Sequence, residues 1–178
     1  MPFNFGPAAS GENIVFGSER PHVIGGLEPW VAFMKSQGIR RVCCLLPDED
    51  DLVAEYRRAF SPSRVLHAPI GDFQYAEEQQ LIGEILPFFV ASDAAQEPVV
   101  AHCWAGSGRT GHVLAAWLVA ARGVSIEQAP GMVVDVEGVR RNPYEAESEL
   151  LTLDEVLGWV QKHVHSGSLV VRATKRVP

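Results

Sequence analysis

Residues 111–121, Gly-His-Val-Leu-Ala-Ala-Trp-Leu-Val-Ala-Ala, put apolar side chains on nearly every side of a helix. A helix at a protein surface keeps a polar face. One that is apolar all round must be enclosed by other elements. The run is too short to cross a bilayer, which takes about 20 residues. It therefore has to lie inside a soluble fold, and a chain of 178 residues is long enough to wrap it. Gly123, just past its end, suits a C-terminal cap.

The remaining pattern supplies the wrapping. Residues 13–16 and 22–24 predict short strands. Residues 29–37 predict a helix capped by Gly38, and the apolar run 41–46, stopped by Pro47, predicts a buried strand. An acidic loop, 48–51, leads into a helix over 52–60, and 64–70 reads as a strand ending at Gly71 and Asp72. Leu81, Ile82, Ile85, Leu86 and Phe89 mark a helical face within 77–91 that Pro87 should kink or break. A strand over 98–102 precedes the enclosed helix. After it, Ser125 can cap a helix that Pro130 and Gly131 interrupt, and 147–163 reads as the last helix. The polar, then basic, tail from Ser166 is expected to fray. Strands alternating with helices predict an α/β fold, a central, mostly parallel sheet flanked by helices. No repeat or linker divides the chain, so 1–178 is read as one domain with its core over about 13–163.

Chemistry concentrates where the predicted strand meets the enclosed helix. Residues 99–111 read Val-Val-Ala-His-Cys-Trp-Ala-Gly-Ser-Gly-Arg-Thr-Gly. A strand, a glycine-rich loop and a helix N-terminus aim successive backbone N–H groups into one concavity, which suits a phosphate-like dianion. Gly106 and Gly108 let the loop curl. Five residues, Trp104, Ala105, Gly106, Ser107 and Gly108, separate Cys103 from Arg109. One loop turn brings both to the same anion, and the arginine fork matches two phosphate oxygens. The N–H dipoles and the cation favour a thiolate, which is a nucleophile. The Thr110 hydroxyl can reach the sulfur. His102, on the opposite face of the strand, can brace the loop by hydrogen bonding and favour the thiolate.

The run His102–Gly111 resembles the signature HCxxGxxRTG of the protein tyrosine and dual-specificity phosphatases at every fixed position. Over about 13–163 the chain is similar to the small, compact, archaeal-type members of that family. The likeness includes Gly-Ser-Glu-Arg-Pro at 17–21, Gly-Ile-Arg-Arg-Val at 38–42, Leu-Pro-Asp-Glu at 46–49 and Pro-Ile-Gly-Asp at 69–72. The resemblance implies a protein-tyrosine-phosphatase fold and hydrolysis of phosphate monoesters through a phosphocysteine, with no metal or organic cofactor. It implies a general acid about thirty residues before the nucleophile. Asp72 lies 31 residues before Cys103 and fits that place. It also implies a glutamine that positions the attacking water, but residues 140–147 hold none, leaving Asn142 or Glu145 for that task. The interruption at Pro130-Gly131 is a second departure.

The expected partner is a phosphorylated protein or peptide. Phosphotyrosine is preferred, with phosphoserine and phosphothreonine slower because their alkoxides leave less readily. Trp104, Ala105 and Ser107, the loop positions that vary, are not basic, and the net charge of −7 works against polyanions. Arg140 and Arg141 would weaken that argument if they faced the cleft. Phosphoinositides, RNA 5′-triphosphate ends or phosphosugars are the alternative substrates, and a phosphate-recognition module without turnover is the alternative class. The acidic balance also argues against binding nucleic acid or a membrane surface. Residues 1–10 do not read as a signal peptide, and three cysteines give no disulfide framework, so a reducing, cytoplasmic setting is expected. A monomer is the expected state, with no sequence feature that fixes it.

Plainer readings exist for each of these residues. Cys103 could be a core thiol. Residues 106–111 also satisfy GxGxxG, though Glu127 comes too early for a dinucleotide site. Asp72 could be a solvated turn residue. Asp48, Glu49, Asp50, Asp51 and Asp93 read as solvated surface, with Asp48 or Glu49 a possible partner of Arg109. Cys43 and Cys44 read as core, or as one half of a reversible disulfide with Cys103. Trp30, Trp117 and Trp159 read as core. No histidine spacing supports a metal site.

Overall fold

The computed structural model describes residues 1–21 and 25–171; the strand expected over 22–24 lies outside them. Among the described residues, five strands gather into one sheet. They are β1 (Gly6–Pro7), β2 (Val15–Glu19), β3 (Arg41–Cys44), β4 (Val65–His67) and β5 (Val99–Cys103), in the order β1-β2-β5-β3-β4. Only the short edge strand β1 runs antiparallel to its neighbour. Every residue of β5, the middle strand, is buried, as a strand covered on both faces must be.

Alternation along β5 divides the core. Val99, Ala101 and Cys103 face one side, and there the enclosed helix α5 (Gly108–Arg122) packs with α4 (Leu86–Ala95), α6 (Ala129–Val134) and α7 (Leu153–His165). Val100 faces the other side with Trp30 and Met34 of α1 (Leu27–Ser36) and Val53, Tyr56 and Phe60 of α2 (Asp50–Phe60). All fifteen residues of α5 are buried. Its Trp117 is among the largest fully buried side chains, and truncation to alanine should cost about 3–5 kcal/mol. Trp30 is core as expected, while Trp159 packs half-buried at its edge. No helix among the described residues is long and apolar enough to cross a membrane.

Both prolines expected to break helices are accommodated. The 77–91 helix runs as α3 (Glu78–Gln80), a π turn (Leu81–Ile85) and α4. Within it the Leu86 N–H donates to Leu81 O, five residues back. The wider turn leaves Pro87 in the first turn of α4, where its missing N–H has no partner to lose. Pro130 likewise opens α6 instead of interrupting a helix. The last helix starts later than its apolar pattern suggests. Thr152 and Glu155 form a reciprocal capping box that sets α7's first turn. Residues 142–151 are therefore left as a loop, which matters for the site below.

A buried ion network holds the far end of α5. Glu12 accepts from the backbone N–H groups of Asn13 (2.9 Å) and Ile14 (2.7 Å), from Trp117 Nε1 (3.0 Å) and from Arg122 Nε (2.7 Å). Arg122 also donates to Asp93 Oδ1 at 2.9 Å. Asp93, expected at the surface, is buried for this reason.

Candidate active site

Strand β5 delivers Cys103 to the C-terminal edge of the sheet, and α5 begins five residues later at Gly108. The 103–109 loop is built by close approach. Gly106 has φ +70°, and a Cβ there would strike the Ser18 carbonyl and the Glu19 nitrogen, so only glycine fits. A Cβ on Gly108 would strike the Glu145 side chain from the 142–151 loop. Asn4 Nδ2 donates to Ala105 O at 2.9 Å and draws that carbonyl outward. Across a planar trans peptide the Gly106 N–H then points the opposite way. Asn4 is buried at φ +54°, a conformation asparagine tolerates, and its Oδ1 accepts from Arg140 N at 2.6 Å. Ser107 Oγ accepts from Asn142 N at 3.1 Å.

Three functional groups converge over this loop. Cys103 is 3% exposed, and the Thr110 hydroxyl donates to its Sγ at 3.2 Å. Arg109 is 8% exposed; its Nη1 donates to Ile70 O at 3.2 Å and its Nη2 pairs with Asp72 Oδ1 at 3.0 Å. Asp72 is 71% exposed, yet this pairing makes it part of the site as well as a turn residue. A cavity of about 190 Å³ opens above, lined by the loop, by Asp72, Phe73 and Gln74, and by Glu145 and Ala146. The arrangement can hold a tetrahedral dianion, attack it with sulfur, and protonate or deprotonate an oxygen above it.

Other candidates take different places. His102 is fully buried, T-shaped against Trp30 and Tyr56, with Nδ1 3.5 Å from Cys103 O. Burial pushes its ring down to about 3, so it is neutral and brings no positive charge to the thiol. It braces the strand end mainly by packing. Trp104 is 59% exposed and lines the cavity mouth, with the Arg20 guanidinium 4.7 Å from its ring centroid. Glu49 pairs with that Arg20 at 2.5 Å instead of with Arg109, and Asp48 is exposed. Arg141 faces away from the cavity, buried, donating to the carbonyls of Pro7 and Gly6. Cys44 sits on the other face of the sheet from Cys103. Cys43 pairs with Ala101 and is diagonal to Cys103. Strand spacings put those Cα atoms about 8 Å apart. A disulfide needs less than about 7 Å, so neither cysteine can bridge Cys103 without movement of the strands.

Asn4, Phe73, Gln74 and His112 were not singled out in sequence. Phe73 and Gln74 follow Asp72 directly and could have been included on that ground. Asn4 lies 101 residues from the carbonyl it holds, and no local pattern marks it.

Residues 16–123 match the family model described as Tc-R-P, a polymorphic toxin system DSP-PTPase phosphatase. Among solved structures, Tk-PTP in its active form is 26% identical, covering 84% of this chain and 92% of its own, with a TM-score of 0.64. PTPMT1 in complex with PI(5)P is 16% identical over 93% of this chain and 99% of its own, at 0.70. TpbA from P. aeruginosa in complex with pTyr is 17% identical over 88% of each chain, at 0.57. No curated protein matches the chain in sequence.

Proposed function

This chain belongs to the DSP-PTPase phosphatase family of polymorphic toxin systems, and on that premise we propose that it hydrolyses phosphate monoesters on proteins through a phosphocysteine at Cys103. The observation that carries the reading is the convergence of Cys103 Sγ, the Thr110 hydroxyl, the Arg109 fork and Asp72 on one small cavity. Backbone N–H groups of residues 104–109, the phosphate loop, and Arg109 hold the dianion. The Cys103 thiolate attacks phosphorus, the P–S bond forms and the P–O bond breaks, and the leaving oxygen takes its proton from the Asp72 carboxylic acid. Water then attacks the phosphocysteine and gives its proton to the Asp72 carboxylate. The P–S bond breaks, and the Thr110 hydroxyl donates to the departing thiolate. Glu145 and Gln74 line the cavity where the attacking water must stand, in the role of the glutamine missing from 140–147.

The lining supports a single phosphate on an aromatic carrier. Arg109 is the one cation among the lining residues, beside the carboxylates of Asp72 and Glu145, so a second phosphate would meet repulsion. Phe73 and Trp104, both well exposed at the mouth, offer ring faces to an aryl group. Phosphotyrosine is therefore the preferred substrate, with phosphoserine and phosphothreonine slower. A structural neighbour holds PI(5)P, so the test compares kcat/KM on phosphotyrosine peptides, phosphothreonine peptides and a soluble phosphoinositide, with chelator present. Preference for the phosphoinositide would overturn the substrate class. Turnover surviving Cys103→Ser would overturn the mechanism. Tight phosphopeptide binding by wild type without turnover would make it a recognition module.

A further inference from the structure

We propose that His112 is a positioning residue that keeps residues 70–76, the acid loop, closed over the phosphate loop while substrate occupies Arg109; the inference rests on the reading of Asp72 as proton donor. His112 is fully buried in the first turns of α5. Its Nε2 lies 3.1 Å from Ala76 N and its Nδ1 lies 3.3 Å from Gly108 O. The amide of Ala76 can only donate, so Nε2 is the acceptor and Nδ1 carries the hydrogen given to Gly108. One ring thus spans from the acid loop to the end of the phosphate loop. Burial pushes it down to about 4, so it stays neutral and able to accept. Tyr75, next to Ala76, packs T-shaped on the ring at 5.1 Å.

The acid loop has two kinds of tie to α5. At Ile70 O and Asp72 Oδ1 the partner is Arg109. A bound phosphate dianion competes for that same fork, and Asp72 must leave it to reach the leaving oxygen. The tie at Ala76 uses no group that substrate engages. It therefore persists through turnover and keeps the loop from swinging out when the arginine contacts are redistributed. Ala76 is itself buried, so without His112 its N–H would lose its acceptor with little access to water.

The test measures kcat and KM for wild type, His112→Phe, His112→Gln, Asp72→Asn and the Asp72→Asn/His112→Phe double variant. Two substrates are used, a phosphotyrosine peptide and a dinitrophenyl phosphate whose leaving group needs no proton. His112→Phe should lower kcat on the phosphopeptide by about tenfold or more, a fraction of a general acid's full contribution. KM for the phosphopeptide and kcat/KM for dinitrophenyl phosphate, which reports phosphocysteine formation and excludes its later hydrolysis, should stay near wild type. Glutamine, which still offers an acceptor, should restore much of the loss, and His112→Phe should cost nothing further once Asp72 is gone. Equal loss of kcat/KM on both substrates, or the same loss in the Asp72→Asn background, would overturn the proposal. Asp72→Asn alone tests the underlying reading, which fails if its loss in kcat/KM, a quantity that excludes the later hydrolysis Asp72 also serves, is uniform across leaving groups. Hydrogen exchange of the Ala76 amide in wild type, with inorganic vanadate filling the site, decides the matter independently of any variant's folding. Continued protection supports the tie, and rapid exchange overturns it.

Discussion

Three buried thiols lie in neighbouring strands, and position alone separates Cys103 from the other two. Cys43 and Cys44 are enclosed within the sheet's two cores. Burial raises the Cys44 thiol to about 11 and Cys43 well above its ordinary value, so both stay protonated near neutrality. Cys103 ends the strand, opens onto the cavity and receives the Thr110 hydroxyl. Iodoacetamide at neutral pH should therefore modify Cys103 alone, and inorganic phosphate should slow it. Peptide mapping by mass spectrometry checks this, and early labelling of Cys43 or Cys44 would contradict the burial argument. Cys103 and Arg109 were legible because their chemistry lies within one continuous run. Asn4 and His112 were not, because each acts on a backbone group supplied by a distant segment.

Among the elements, α5 carries the site at one end and an ion network at the other. Glu12 and Asp93 clamp Arg122 in its last turn, where all three are buried and no charge can be left alone. Removing one member of such a network costs about 3–5 kcal/mol. Glu12→Ala should lower the denaturation midpoint strongly while leaving the leaving-group dependence of the residual folded enzyme unchanged, because the network lies at the opposite end of α5 from the phosphate loop. Denaturant titration paired with kinetics on two leaving groups tests both halves. The helix itself was readable from its all-round apolar character. Its neighbours were read less well, since Pro87 and Pro130 suggested breaks. A π turn and a first-turn placement absorb them, and only packing selects those solutions.

For the whole molecule, acid sensitivity follows from two imidazoles kept neutral inside the core. Burial lowers His102 from 6.5 to about 3 and His112 from 6.5 to about 4. Above pH 6.5 both are neutral folded or unfolded and contribute no pH dependence. As pH falls below 6.5 the unfolded chain takes up protons that the native protein cannot, so stability falls with decreasing pH, by up to about 1.4 kcal/mol per pH unit for each ring. Thermal midpoints measured between pH 7 and pH 4 should decline, and His112→Gln should flatten that decline. An unchanged slope in that variant would mean His112 does not titrate differently in the two states.

Sequence by itself determined the alternation of strands and helices, the enclosed helix and the run from Cys103 to Thr110, because each is written in local periodicity or in short, contiguous spacing. The tertiary structure alone decided which carboxylate reaches Arg109, that Arg141 serves the N-terminal backbone and not the cleft, and that Glu145 stands over Gly108. The physical reason is that these contacts depend on where a loop returns. The capping box at Thr152 left residues 142–151 free to fold back over the cavity, and the parallel sheet brought the ends of β2, β4 and β5 to one edge. Pairings between chain segments so far apart follow from chain topology, which the identity of any single residue leaves open.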